Sequence, residues 1–123
     1  MDQISAIQLM SALAQPTRMA VFLTLGKHGV EGLPVGELAR LMDTPPNTMS
    51  THLSILARAG AVAANRDGRV VSYTVLPAAV RDLALFLVMG SCGGAENLSD
   101  SFATALDEAF AANSRKVPRA SAR

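Results

Sequence analysis

A mainly helical fold carrying one β-hairpin follows from three features of the sequence. Apolar residues recur at spacings of three and four, as in Ile4, Ile7, Met10 and Ala14 or Leu98, Phe102, Leu106 and Phe110. Two short amphipathic stretches meet at Asp43-Thr44-Pro45-Pro46, the pattern of two helices joined by a tight turn. Two β-forming runs flank Arg66-Asp67-Gly68-Arg69, where glycine supplies the positive φ of a hairpin turn.

Composition bounds the rest. The 123 residues fit one domain, and 50% of them are apolar, which excludes an extended disordered chain. With four Phe, one Tyr and no Trp, the core must be built from Ala, Leu, Val, Ile and Met, which favours helices. A single cysteine excludes an intrachain disulfide and any zinc site of several thiolates within one subunit, and fits a reducing compartment. Met1-Asp2-Gln3 has no basic leader character, and the longest apolar run, Leu83 to Met89, is far short of the roughly 20 residues that cross a bilayer. The expectation is a cytoplasmic chain without a membrane partner.

Residues 3 to 14 read as the first helix, with Ile4, Ile7, Met10 and Ala14, and Leu9 and Leu13 alongside, on one helical face. Gln15-Pro16 interrupts it, because the residue before proline leaves the helical region while proline suits the first turn of a new helix. The second helix is expected from Pro16 to Leu25, stopped by Gly26 at the head of a segment holding three glycines. Pro34 to Met42 is a short helix with Leu38, Leu41 and Met42 on one side and Glu37 and Arg40 on the other. The fourth starts at Pro46 or Asn47, turns Met49, Leu53 and Leu56 inward, and ends at Gly60.

Val62 to Asn65 and Val70 to Val75 form the hairpin strands, and Pro77 opens a helix that is apolar on nearly every side over residues 78 to 89. Such a helix is buried by more than its own small domain, so it is the candidate dimer helix. Gly90-Ser91-Cys92-Gly93-Gly94 reads as a flexible break. A last helix, capped by Asn97 or Ser99, runs to about Ala112. Residues 1 to 112 are thus expected to form a single domain with dimerisation helices at both ends, and residues 113 to 123 a basic, disordered tail. The order of elements is that of a winged helix-turn-helix, dimeric through its terminal helices.

Three motifs add a family resemblance. Ala12-Leu13-Ala14-Gln15-Pro16-Thr17-Arg18 resembles the opening of the ArsR/SmtB family of bacterial transcriptional regulators. Ser50-Thr51-His52-Leu53-Ser54-Ile55-Leu56, followed by Ala59-Gly60-Ala61-Val62, is similar to that family's recognition helix, and Arg66-Asp67-Gly68-Arg69 with Val71 and Tyr73 to its wing. The resemblance implies a homodimeric repressor that binds a double-stranded DNA operator and releases it on a signal.

The residues support DNA reading independently. With Met49, Leu53 and Leu56 turned inward, Asn47, Thr48, Ser50, Thr51 and Ser54 fall on the outer and N-terminal part of the fourth helix. Short amide and hydroxyl side chains allow close approach to base edges, Asn47 toward adenine and the threonine methyls toward thymine. The same residues also suit capping and solvation. His52 sits between the buried and exposed faces, able to pack beneath the helix or contact the DNA backbone. Arg66 and Arg69 flank the hairpin tip, within reach of phosphates or a minor groove. Arg18 reads as a structural tie between helices.

No cofactor or metal site is expected beyond the Cys92 thiol. Where many relatives carry a cysteine pair, this chain has Leu33-Pro34-Val35-Gly36-Glu37-Leu38, and its dimer helix offers Asp82 but neither of the two histidines, His28 and His52. Ser91-Cys92 resembles the adjacent cysteines of arsenite-responsive relatives with the first replaced by serine. Cys92 is the candidate effector thiol, for a soft metal such as arsenite or for oxidation, or a free cysteine without a role.

The net charge of +1 masks a division: residues 16 to 75 hold six Lys and Arg against four acids, whereas residues 82 to 110 hold five acids and no cation. Low net charge and a recognition helix without lysine also fit a protein-interaction module on the same fold. The chain has no Gly-rich phosphate loop and no Ser-His-acid or Cys-His motif, so an enzyme is not expected.

Overall fold

Asp2 starts the first helix, α1 (Gln3–Leu13): its carboxylate accepts the Ser5 amide at 2.7 Å, one of the four amides a helix start leaves without a partner. The computed structural model describes residues 1–92 and 96–116, the side chains of 92, 96–99 and 114–116 excepted. Gln15 caps α2 (Pro16–His28) in the same way, accepting the Arg18 amide at 2.8 Å, and Pro16 at the first turn has no donor to satisfy. The stop expected at Gly26 falls three residues later. A single interior glycine costs only about 1 kcal/mol, and the positive φ that ends the helix is at Gly29, before a 3₁₀ turn at Gly29–Glu31.

A strand absent from the sequence expectation follows, β1 (Leu33–Pro34), because two residues carry no periodicity to detect. The helix-turn-helix is α3 (Val35–Leu41) and α4 (Pro46–Arg58). Asp43 takes a φ of 49° between them, and the turn is closed by the Thr44 amide on Ala39 O at 2.9 Å and the Thr44 hydroxyl on Met42 O at 3.0 Å.

The hairpin is β2 (Val62–Asp67) and β3 (Val70–Val75), paired from Val62↔Val75 to Asp67↔Val70. Its two-residue loop is therefore Gly68-Arg69, one residue later than the Asp-Gly reading suggested. Gly68 has a φ of 65° and Arg69 does not share the positive sign, the pattern of a type II′ turn with glycine first. β1 joins β3 through Leu33↔Tyr73 and Pro34↔Ser72, which gives an antiparallel sheet in the order β1-β3-β2.

α5 (Pro77–Cys92) continues through Gly90, where a flexible break was expected; Gly93 and Gly94 lie outside the described residues. α6 (Glu96–Lys116) likewise runs four residues past Ala112 into the expected tail, of which 117–123 lie outside the described residues. The chain divides into two compact units, Met1–Phe86 and Leu87–Arg123. In the second, α6 carries Phe102, Leu106 and Phe110 as a largely exposed stripe at four-residue spacing.

The core of the first unit joins Leu9 and Ala12 of α1, Val21 and Leu25 of α2, Leu38 and Ala39 of α3, Met49, Leu53 and Leu56 of α4, and Ala61 and Val62 beside the hairpin. The inward face expected for α4 is the observed one. Of the apolar stripe read on α1, Leu9 is buried together with Ala6 and Ala12, while Ile4, Ile7 and Met10 are exposed. Two alanines on the buried side let α1 approach its neighbours closely, which leaves the bulkier stripe outward. Leu41 is also exposed, and Ala39 takes the inward place beside Leu38.

Gly32 joins the 3₁₀ turn to the sheet at a φ of 63°, and a Cβ there would lie 2.1 Å from Tyr73 O. Gly32→Ala is therefore expected to lower stability by about 2 kcal/mol or more in urea denaturation, since both the backbone and the strand must shift. The Ser5 amide bound to the Asp2 carboxylate holds that group below its ordinary value of 3.8. A depressed native value means the cap stabilises α1 at neutral pH and is lost as pH falls through that value. A carboxyl titration followed by NMR should place Asp2 below 3.8 with the Ser5 amide shifting in parallel.

Candidate nucleic-acid interface

Burial decides which side chains α4 presents. Met49, Leu53 and Leu56 are wholly buried, so Asn47, Thr48, Ser50, Thr51 and Ser54 are left exposed, as helical geometry requires. Pro45 precedes the helix without a side-chain cap, so the first turn of α4 is not covered by a capping group. Asn47 is therefore not spent as a cap. The Thr51 hydroxyl, by contrast, donates to Asn47 O at 3.1 Å, within its own helix. Back-bonding leaves the Thr51 methyl as its outward chemical feature.

His52 is half-buried. Its Nδ1 lies 3.5 Å from Nη1 of Arg18, whose Nε donates to Ala12 O at 2.6 Å. Arg18 thus ties the end of α1 to α2, as its sequence position suggested, and also reaches α4, which no sequence signal indicated. Arg18, Asn47, Thr48, Thr51, His52 and Ile55 border one hollow of about 470 Å³ at the N-terminal half of α4. Four of the expected site residues meet there, joined by Arg18 and Ile55. Ser50 and Ser54 lie on the exposed face of the same helix.

The hairpin residues are presented separately. Arg66 is in β2, paired with Val71, and Arg69 is the second residue of the two-residue turn; both are exposed. On α3, Arg40 is held by Glu37, with Nε donating to Oε1 at 3.2 Å and a second contact from Nη2 to Oε2. The hydrogen bond from Arg40 keeps the Glu37 carboxyl below the usual carboxylate range, and the carboxylate in turn raises Arg40. Its guanidinium is engaged, whereas no ion pair holds Arg66 or Arg69 among the described residues.

Among the described residues no group of three His, Cys, Asp or Glu side chains could hold a metal ion. The Cys92 side chain, the candidate effector thiol, lies outside the described residues. No helix among the described residues is long and apolar enough to cross a membrane.

Comparison with known proteins agrees with this architecture. A helix-turn-helix domain model matches residues 13–63, from the end of α1 to the start of β2. The transcriptional repressor SmtB of Mycobacterium tuberculosis is 39% identical over 69 residues, 56% of this chain. The chain spans about half the length of this curated relative, the aligned part being 49% of it. Among solved structures, a homodimeric winged helix-turn-helix DNA-binding domain from Mycobacterium bovis, a possible ArsR-family regulator, superposes with a TM-score of 0.58 at 25% identity, covering 72% of this chain and 80% of that one. HlyU from Vibrio cholerae gives 0.57 at 26% identity, covering 75% and 99%. An ArsR-like regulator from Rhodococcus gives 0.61 over 93% of both chains at 20% identity, a likeness of fold alone. The matched helix-turn-helix and the shared winged architecture make this chain similar, over that part of its length, to winged helix-turn-helix regulators of the ArsR/SmtB kind.

Proposed function

We propose that this chain is a homodimeric transcriptional repressor that reads a double-stranded DNA operator with α4 and steadies itself on the backbone with its wing. One observation carries the reading: three wholly buried apolar side chains force an exposed strip of short amide and hydroxyl groups onto the opposite face of α4. Such a strip can enter a major groove and meet base edges. Arg66 and Arg69, exposed on the hairpin, supply the phosphate contacts that carry affinity but little sequence information. The relative from Mycobacterium tuberculosis is a repressor and the neighbour from Mycobacterium bovis is homodimeric, which supports both parts of the reading. The chain in this reading acts by binding rather than by catalysis.

The modest positive surplus favours a dimer, since two weak heads joined together gain avidity that neither has alone. Ile4 and Met10 of α1 and Val80 and Leu85 of α5 are exposed apolar side chains on the terminal helices that would meet a second copy. Protection of an inverted repeat, with half-sites about one helical turn or roughly 34 to 36 Å apart, tests the whole proposal. A footprint without such a repeat at any promoter bound in a genomic selection overturns it.

Because the Thr51 hydroxyl is spent on Asn47 O, Thr51→Val should keep operator affinity and base preference, whereas Thr51→Ser, which loses the methyl, should relax the preference at one position in a competition assay. Arg69→Ala is expected to weaken binding to all sequences alike and to lower the salt slope by about 1 in titrations across ionic strength. Leu85→Glu should convert the dimer to monomer in sedimentation and weaken operator binding, with the helical circular dichroism retained, because Leu85 is 52% exposed in the single chain.

A further inference from the structure

A second concavity lies behind Arg18, between α1 and the C-terminal half of α4. It is a groove of about 350 Å³, within the range of small-molecule sites, bordered by Ile7, Ser11, Arg18, Ile55 and Arg58 among others. Its chemistry is one-sided: two guanidinium groups border it and no carboxylate does. Two other helical arginines behave differently, since Arg40 is paired with Glu37 and Arg81 with Asp82, while no ion pair engages Arg18 or Arg58 among the described residues. Arg18 is also anchored, with Nε on Ala12 O at 2.6 Å, so its remaining N–H groups are oriented at little further entropic cost. Ile7 and Ile55 supply apolar wall, and Ile7 is 52% exposed, surface that a hydrocarbon or aromatic ring would cover.

We propose that this groove binds a small organic anion, a carboxylate on an apolar body, with Arg18 and Arg58 taking the carboxylate and Ile7 and Ile55 the body. Inorganic phosphate would satisfy the guanidinium groups but leave the isoleucines bare, so the walls select the amphipathic ligand. Arg18 and Ile55 border the DNA-facing hollow as well as this groove, and Arg18 approaches His52 from its anchored position. A ligand that draws the Arg18 guanidinium toward the groove changes its approach to His52, and occupancy therefore alters operator affinity. This coupling rests on the DNA-binding reading above; the site itself does not.

The test uses the full chain with methyl-labelled isoleucine, titrated with benzoate and hexanoate. Benzyl alcohol is the neutral probe of matching size, and acetate the anion without an apolar body. Benzoate and hexanoate should shift the Ile7 and Ile55 methyl signals, with acetate and benzyl alcohol binding about tenfold more weakly or less. Arg58→Gln, at an exposed position, should weaken benzoate about tenfold, and Ser11→Leu, also at an exposed position, should block it by filling the groove. Methyl signals that ignore every probe, or answer benzyl alcohol as strongly as benzoate, overturn the site. So does a response of the same signals to protein dilution alone, which would mean that a second copy occupies the groove. In the DNA arm, saturating benzoate should change operator affinity by about tenfold in the wild type and leave the affinity of Ser11→Leu, whose groove is filled, unmoved. Saturation without any change in operator affinity overturns the coupling. A chain that binds no operator at all instead overturns the repressor reading, and the methyl shifts still decide the site.

Discussion

The exposed polar strip of α4 depends on the burial of the opposite face of that helix. Met49, Leu53 and Leu56 have no exposed surface, and each such side chain contributes roughly 1.5 to 3 kcal/mol by leaving water. No preference of a threonine or serine for solvent approaches that sum, so the core alone sets the rotation of α4 about its axis. The polar strip is outward because the apolar strip is inward. Leu9 of α1, Leu38 of α3 and Val21 and Leu25 of α2 belong to the same cluster, which holds α4 against all three helices at once.

The rest of the first unit serves to brace that helix. Short-range hydrogen bonds close the turn between α3 and α4 around Asp43, and the Ala61 to Leu76 bond at 3.0 Å fastens the base of the hairpin just beyond it. β1 adds a short third strand, and its approach to β3 needs a glycine at position 32, where a Cβ would strike the Tyr73 carbonyl. Arg18 adds a polar link from α1 through α2 to His52, at a place where α4 presents both its exposed polar strip and its flank.

Much of this was legible in the sequence, for identifiable reasons. The 3.6-residue period of α4 named its buried face and hence its exposed one, and proline placement marked the starts of α2, α4 and α5. The hairpin was legible from Gly68, although its loop sits one residue later because strand pairing, not dipeptide preference, sets the register. Glycine was the weaker guide inside helices: α2 runs two residues past Gly26 and α5 two past Gly90, since a single helical glycine costs only about 1 kcal/mol.

The sequence by itself determined the kinds of element, their order, and the polar strip on α4, because these follow from local spacing and backbone chemistry. Tertiary structure alone decided which face of α1 is buried, since two competing apolar stripes share that helix and only packing against α2 and α4 selects the one with alanines. It also decided that Leu33 and Pro34 form a strand and that Arg18 stands between two hollows. Those facts join residues 34 to 40 positions apart, and no local pattern encodes a contact over such separations.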